Sequence, residues 1–350
     1  MHIRDRGIRY DWLGRLCACL NTDRAGYPQK LRDWQGANGL APTGFIDAQT
    51  RLKLIEDEAF NNDLTTRLKI RTYGVDKNLW RTTCALSTSG TEAALYDRLT
   101  DILLALHSYV PEEPFSASIL AIRGVTPSGD GYHHTESARM FAQQPYGART
   151  HFSSNKADYA DSLFALMTRE GKEKHVQCFM GVTSPCSIWP HGTAHLCLGQ
   201  YFYKIGKHRT REPAHIETAE AMFRNRIWPE NWLYERTEDS IRYAALEGTS
   251  QIEVVRSTGD SLDISPSDIA RAEREIAERN PAFVDAQTIK INIHSCSQTH
   301  ASSLGCQNIL PEDYRDFLGT LMRIADLQTD RYGFALDIPY TLCDASELPT

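Results

Sequence analysis

Residues 288–317 read TIKINIHSCSQTHASSLGCQNILPEDYRDF, and this stretch indicates how the second half of the chain folds. Its isoleucines alternate with polar residues up to His294. Because successive side chains of a strand point to opposite faces, the alternation predicts a strand with one buried face and with His294 at its end. A polar loop then leads to a Ser-Leu-Gly-Cys turn that ends at Cys306.

The spacing of histidine and cysteine in this stretch predicts a catalytic pair. Cysteine chemistry needs a thiolate, which a histidine within hydrogen-bond reach can generate by accepting the proton. Gly305 permits a tight backbone approach before Cys306, and the amides of such a turn can face a developing oxyanion. We therefore predict Cys306 as the nucleophile and His294 as its base. Cys296 is the rival nucleophile, but it lacks the glycine turn.

Short runs rich in β-branched and aromatic residues recur from Ser116 onward and predict a strand-dominated domain. The runs are SILAIRGV, HVQCFMGVT, AHLCLGQYFYKIGKH, QIEVVRS and TIKINIHS. Two helices are predicted at the edges of this domain. One has Ser265 as its cap, Pro266 at its first position and Asp268 closing a capping box. The other follows Pro311.

The first 56 residues predict a small three-helix domain. In LRDWQGANGLAPTGFIDAQTRLKL a helix ends at an Asn-Gly stop, an open loop follows, and Asp47 is a good cap for the next helix. This spacing resembles the C-terminal two thirds of a peptidoglycan-binding domain of the three-helix type. The resemblance implies a cell-wall-binding module that includes Trp34, Gln35, Asn38 and Gly44.

Residues 57–115 predict a helical connector, because TEAALYDRLTDILLALHSYV carries an apolar stripe that includes Leu104 and is followed by the turn-rich PEEPFSAS. The predicted fold class is therefore α+β. It comprises an N-terminal three-helix domain in residues 1–56, the connector in residues 57–115, and a strand-dominated mixed domain in residues 116–350.

The stretch around His294 and Cys306 resembles the catalytic signature of L,D-transpeptidases, in which a strand-end histidine is followed, after a variable loop, by Ser-x-Gly-Cys. The resemblance implies an L,D-transpeptidase-like fold for the large domain. It also implies that the Ser295 carbonyl orients the imidazole. The turn matches at Ser303 and Gly305.

This sequence departs from the family pattern in three respects. Leu304 stands where a histidine is usual, Gln307 with Asn308 replaces the usual basic continuation, and the loop between His294 and Cys306 is short. The base is unaffected, because that role belongs to the upstream histidine. Transpeptidation and hydrolysis therefore both stay open.

The order of the segments ILAIRGVTPSG, GTAHLCLGQYFYKIGKH and VVRSTGDSLD resembles a phage- and effector-associated branch of the same proteins. The resemblance implies a cysteine acyltransferase or peptidase that acts on diaminopimelate-containing stem peptides of peptidoglycan through an acyl-enzyme, without a cofactor. Glycan is a further possible ligand of the N-terminal module. The implied substrate-cleft residues are Gln200, Tyr201, Lys204, Gly206, His208 and Gln307.

Composition narrows the classes of partner. The net charge is −7 and the chain lacks a basic footprint, so nucleic acid is not expected as a partner. The absence of an 18-residue apolar run predicts no membrane-spanning helix. The N-terminus lacks the pattern of a secretory signal. Action at the cell wall or periplasm would then require release or delivery by another route, with a delivery machinery or an immunity protein as possible partners.

Two other classes of function stay open from the sequence. The stretch HGTAHLC offers His191, His195 and Cys197 as metal ligands for a metal-dependent cell-wall hydrolase, although it matches neither HExxH nor another standard zinc signature. The second alternative is a non-catalytic cell-wall-binding protein. Nine scattered cysteines without a CxxC pair argue against a disulfide framework.

Overall fold

The structure is a computed structural model. The described residues are 6–10, 20–22, 26–44, 50, 53, 69–72, 92–106, 108–123, 162–183, 193–249, 252–258, 264–284, 289–297 and 305–344. They contain thirteen strands, six α-helices and one short 3-10 helix at Glu230–Trp232.

Eight strands form a closed sheet, in which the last strand pairs back to the first. Closure leaves these strands without exposed pairing edges, so their backbone groups are bonded to one another. In order around the closed sheet, the strands are β7 (Leu198–Thr210), β13 (Ile338–Asp344), β3 (Phe115–Arg123), β4 (Ser162–Glu170), β5 (Glu173–Val182), β12 (Gln307–Ile309), β11 (Ile293–Ser295) and β9 (Ile241–Gly248).

The remaining strands extend or flank the closed sheet. β1 (Arg6–Tyr10) runs parallel to β7 and antiparallel to β2 (Lys69–Thr72). β8 (Leu233–Arg236) pairs with β9. A separate two-stranded sheet joins β6 (Ala194–Leu196) to β10 (Val254–Arg256).

The six helices lie between these strands along the chain. No helix of the described residues has both the length and the apolar composition that crossing a membrane requires. The helices are α1 (Tyr27–Ala37), α2 (Glu92–Ala105), α3 (Pro213–Arg224), α4 (Pro266–Ala277), α5 (Pro281–Val284) and α6 (Pro311–Tyr332).

The predicted fold class is wrong. Instead of three complete N-terminal helices, the described part of residues 1–56 contains the strand β1, the helix α1 and the helical residues Thr50 and Lys53. β1 has only five residues, too few to show a helical or strand period, and its pairing with β2 and β7 decides its conformation. The large domain is a closed, strand-rich sheet and not the mixed L,D-transpeptidase domain that we expected.

Several local predictions agree with the structure. The capping box at α4 is present, with Ser265 accepting from the Asp268 amide and Asp268 accepting from the Ser265 amide. The helix predicted after Pro311 is α6, and its apolar face is buried against the sheet. The stripe of α2 is also buried, but Leu104 is 42% exposed and does not belong to it.

Candidate active site

Two short parallel strands bring the predicted nucleophile and base to one face of the sheet. In the ladder between β11 and β12, Ile293 lies opposite Gln307 and His294 lies opposite Asn308. Residues directly opposite one another share a face, and so do alternate residues along one strand. His294, Asn308 and Cys306 therefore lie on the same face, with Cys306 one diagonal step from His294.

The face continues across β9 and β7. Gly206 of β7 pairs with Ala245 of β9, and His208 pairs with Tyr243. Gly206 has no side chain, and the Glu247 side chain of β9 fills the place where its Cβ atom would lie. The imidazole of His208 stacks on that of His294 with ring centroids 3.7 Å apart and planes 12° apart.

A third histidine reaches the same place from helix α3. Glu212 caps this helix by accepting hydrogen bonds from the amides of Ala214 and His215, and Pro213 occupies the first turn. This cap places His215 in the first turn, where its ring centroid lies 5.2 Å from that of His294. The Nε2 atom of His215 lies 2.7 Å from the hydroxyl oxygen of Tyr243.

The imidazole of His294 has a defined orientation. Its Nδ1 atom lies 2.7 Å from the carbonyl oxygen of Ser295. Since a carbonyl only accepts, Nδ1 carries the proton and Nε2 keeps its lone pair. The Asn308 Nδ2 atom lies 3.3 Å from both ring nitrogens, which places the amide over the ring face.

Burial lowers the pKa of His294 to about 4, while the hydrogen bond with the Ser295 carbonyl acts in the opposite direction. Desolvation disfavours the charged imidazolium, so the ring is neutral near pH 7. A neutral imidazole with a free lone pair is able to accept a proton.

Cys306 is partly exposed, and its sulfur lies beside the start of β11. The Asn292 amide donates to Cys306 Sγ at 3.4 Å, and the thiol donates to the Lys290 carbonyl at 3.6 Å. Lys290 has a φ of +49°, a left-handed conformation that is costly for a residue with a side chain and is often found at functional sites. β11 begins only at Ile293, so the strand predicted up to His294 is shorter than expected.

Desolvation raises the pKa of the Cys306 thiol to about 11, although the Asn292 amide opposes this effect. The resting pair is therefore a thiol and a neutral imidazole. This pair differs from a preformed thiolate and imidazolium, so the thiol must lose its proton during the attack itself.

The turn before the nucleophile requires glycine. Gly305 has a φ of +148°, and a Cβ atom built there would lie 2.8 Å from the Ala194 carbonyl oxygen. Gln307 supports this turn, because its Nε2 atom donates to the Gly305 carbonyl at 3.1 Å. The Tyr340 hydroxyl donates to Gln307 Oε1 at 2.9 Å. Gln307 is buried on the face opposite His294, so it does not occupy the place of a substrate contact.

The other predicted substrate residues divide into two groups. Gln200 is buried and bonded to both backbone groups of Tyr109, and the Tyr201 hydroxyl donates to the Cys197 carbonyl. Lys204 is exposed and His208 is partly exposed, and both share the face of Cys306. Among the other predicted catalytic residues, Ser295 orients His294 through its carbonyl, and Gly305 forms the turn before Cys306. Ser303 lies outside the described residues.

The three histidines could suggest a metal site, because their ligand atoms lie within 4.8 Å of one another. A metal ion bound to an imidazole nitrogen lies close to the plane of that ring. The planes of His208 and His294 are almost parallel and stacked, so their lone pairs do not converge on one point. In this arrangement the rings are packed for stacking and not for metal coordination.

The metal alternative predicted from HGTAHLC does not gain support from the described ligands. His195 and Cys197 are both buried, and no group of potential metal ligands within the described ranges contains them. His191 lies outside those ranges. Neither ring nitrogen of His195 has a hydrogen-bond partner among the described residues.

The rival nucleophile Cys296 is completely buried in an apolar cluster.

The residues of the predicted cell-wall module have structural contacts. The Gln35 side chain is buried, donates to the hydroxyls of Thr43 and Thr50, and accepts from the Gly44 amide. The Asn38 side chain donates to the Trp34 carbonyl. These bonds hold the loop after α1 against that helix, and they account for Gln35 and Asn38 without a ligand.

Comparisons of the chain with protein-family models, with curated proteins and with solved structures found no match. The likeness to L,D-transpeptidases and to peptidoglycan-binding domains therefore rests on the sequence motifs alone.

Sequence reasoning missed His215, Tyr243 and Asn292 as parts of the site. The Glu-Pro pair before α3 is a helix-start signal that could have placed His215 in a first helical turn.

Proposed function

We propose that this protein is a cysteine acyltransferase or peptidase that uses Cys306 as nucleophile and His294 as general base. The observation that carries the proposal is the position of the two residues on one face of β11 and β12. The orientation of His294 by the Ser295 carbonyl leaves Nε2 free to accept a proton. The partial exposure of Cys306 gives a substrate access to the sulfur.

The proposed reaction begins from the neutral pair. The Cys306 sulfur attacks the carbonyl carbon of an amide while its proton passes to His294 Nε2. Backbone amides of the turn at Gly305 are the candidates for stabilising the oxyanion. The imidazolium then gives the proton to the departing amine, and a thioester remains on the enzyme. An amine acceptor would complete a transfer, and water would complete a hydrolysis.

The proposed substrate class is a diaminopimelate-containing stem peptide of peptidoglycan. Support for this class comes from the Ser-x-Gly-Cys signature that ends at Cys306. The proposed site of action is the periplasm or cell wall. The protein would reach it by release or through a separate delivery machinery.

The test compares the wild-type protein with Cys306→Ala on sacculi that contain diaminopimelate, followed by mass spectrometry of the muropeptides. We expect altered stem peptides or new cross-links with the wild type and none with Cys306→Ala. The matched control is Cys296→Ala, which removes the rival thiol and should keep the activity. Unchanged products from a folded Cys306→Ala protein would refute the proposal, and loss of activity with a chelator alone would favour a metal-dependent hydrolase.

A further inference from the structure

A single phenol oxygen connects helix α3 to the carbonyl that orients His294. The Tyr243 hydroxyl oxygen lies 2.7 Å from His215 Nε2 and 3.5 Å from the Ser295 carbonyl oxygen. The same carbonyl oxygen lies 2.7 Å from His294 Nδ1. A change at Tyr243 or His215 is therefore able to reach the proposed base without touching it.

The Tyr243 ring is held firmly in place. It is fully buried, stacks on Trp228 with centroids 5.2 Å apart, and meets Tyr314 edge-on at 6.3 Å. Burial also raises the pKa of the Tyr243 hydroxyl well above its usual range, so the hydroxyl keeps its proton. A rigid ring with one hydroxyl proton is suited to holding a neighbouring group in a fixed position.

We infer that Tyr243 is a positioning residue for His294 and that His215 sets the direction of its hydroxyl. The inference rests on the proposed role of His294 as the base. A phenol has one proton to donate, and the Ser295 carbonyl can only accept, so the hydroxyl donates to that carbonyl while His215 Nε2 donates to the phenol oxygen. The hydroxyl then holds the Ser295 carbonyl oxygen in place, where it accepts the Nδ1 proton of His294. The network therefore selects the tautomer whose Nε2 atom can accept the thiol proton.

The test reads the tautomer of His294 directly by nitrogen NMR on protein with isotope-labelled histidine. We expect one Nδ1-protonated tautomer in the wild type and a mixture of tautomers in Tyr243→Phe. The turnover number of Tyr243→Phe should fall about 10- to 100-fold with an unchanged KM, by analogy with the groups that orient metal-bound histidines. His215→Gln should stay close to the wild type, because its amide nitrogen can donate to the phenol oxygen, whereas His215→Ala should behave like Tyr243→Phe.

The matched control is Tyr314→Phe, which removes a buried hydroxyl that donates to the Ala244 carbonyl and not to Ser295. It should leave the tautomer of His294 unchanged, which separates positioning from a general loss of packing. A single Nδ1-protonated tautomer in both Tyr243→Phe and His215→Ala would overturn the inference. This readout does not need an active enzyme, so failure of the proposed reaction and failure of the inference are distinguishable.

Discussion

His294 and His195 are two buried histidines on strands, each followed by a cysteine, and burial lowers the pKa of both. They differ in what surrounds the ring. His294 has an orienting carbonyl and a partly exposed thiol, Cys306, on its own face. His195 has no hydrogen-bond partner among the described residues, and its neighbour Cys197 is buried. A perturbed pKa alone therefore reports burial, whereas an oriented ring near an accessible nucleophile indicates a candidate site.

The largest expected difference between the two histidines is in catalysis. His294→Ala removes the proposed base and should slow thioester formation by about 100- to 10,000-fold, the usual contribution of a general base. His195→Ala should keep the rate of the wild type, because His195 has no role in the proposed reaction. Single-turnover kinetics with a stem peptide measure both rates. Equal losses in the two variants would erase the distinction between the sites.

The second difference concerns the turn between the two regions, where Gly305 packs against the Ala194 carbonyl. Gly305→Ala should destabilise the protein by about 1–3 kcal/mol, since the alanine would adopt an unfavourable φ and would also contact the carbonyl. Gly333→Ala is the matched control, because Gly333 also has a positive φ but no atom lies within 4 Å of its added Cβ. Urea unfolding measures both, and we expect the smaller loss at Gly333.

Both histidines should contribute to the loss of stability in acid. The folded pKa of His294 is about 4, below its ordinary value of 6.5, so the unfolded chain binds more protons between these values. The stability that the neutral His294 ring contributes is complete above pH 6.5. It is lost as the pH falls towards 4, which lowers the free energy of unfolding by up to about 3 kcal/mol. Unfolding free energies measured across this range should have a smaller slope in His294→Gln. An unchanged slope would contradict the lowered pKa.

The smallest expected effect is at His195. Replacing a buried polar ring whose nitrogens lack described partners by an apolar residue should be neutral or stabilising by about 1 kcal/mol. His195→Leu should therefore fold as well as the wild type and remain active. Thermal unfolding together with the stem-peptide assay checks this expectation. A loss of several kcal/mol would show that the His195 ring has an essential partner.

The parts of the fold that were predictable depend on local signals. The capping box at Ser265 and the apolar face of α6 are contained within a few successive turns. β4 was not predicted, because SLFALMTRE is a continuous apolar run without a strand period. β13 was missed as well, since Pro339 argues against a central strand. Closure of the sheet depends on pairings between distant segments, which local patterns do not contain.

The candidate site shows the same division. His294 and Cys306 were predictable because twelve residues separate them and a single signature covers both. Tyr243 and His215 reach the site only through the pairing of β7 with β9 and through the packing of α3. Their positions are consequences of tertiary structure, so no motif in the sequence connects them to His294.

The most direct test of the central claim is intact-mass spectrometry of the protein mixed with a diaminopimelate-containing tetrapeptide and quenched in acid, followed by peptide mapping. We predict a thioester on Cys306 in the wild type, its absence in Cys306→Ala, and its retention in Cys296→Ala. An acyl group mapped to another residue, or equal product formation by Cys306→Ala without any covalent intermediate, would contradict the account.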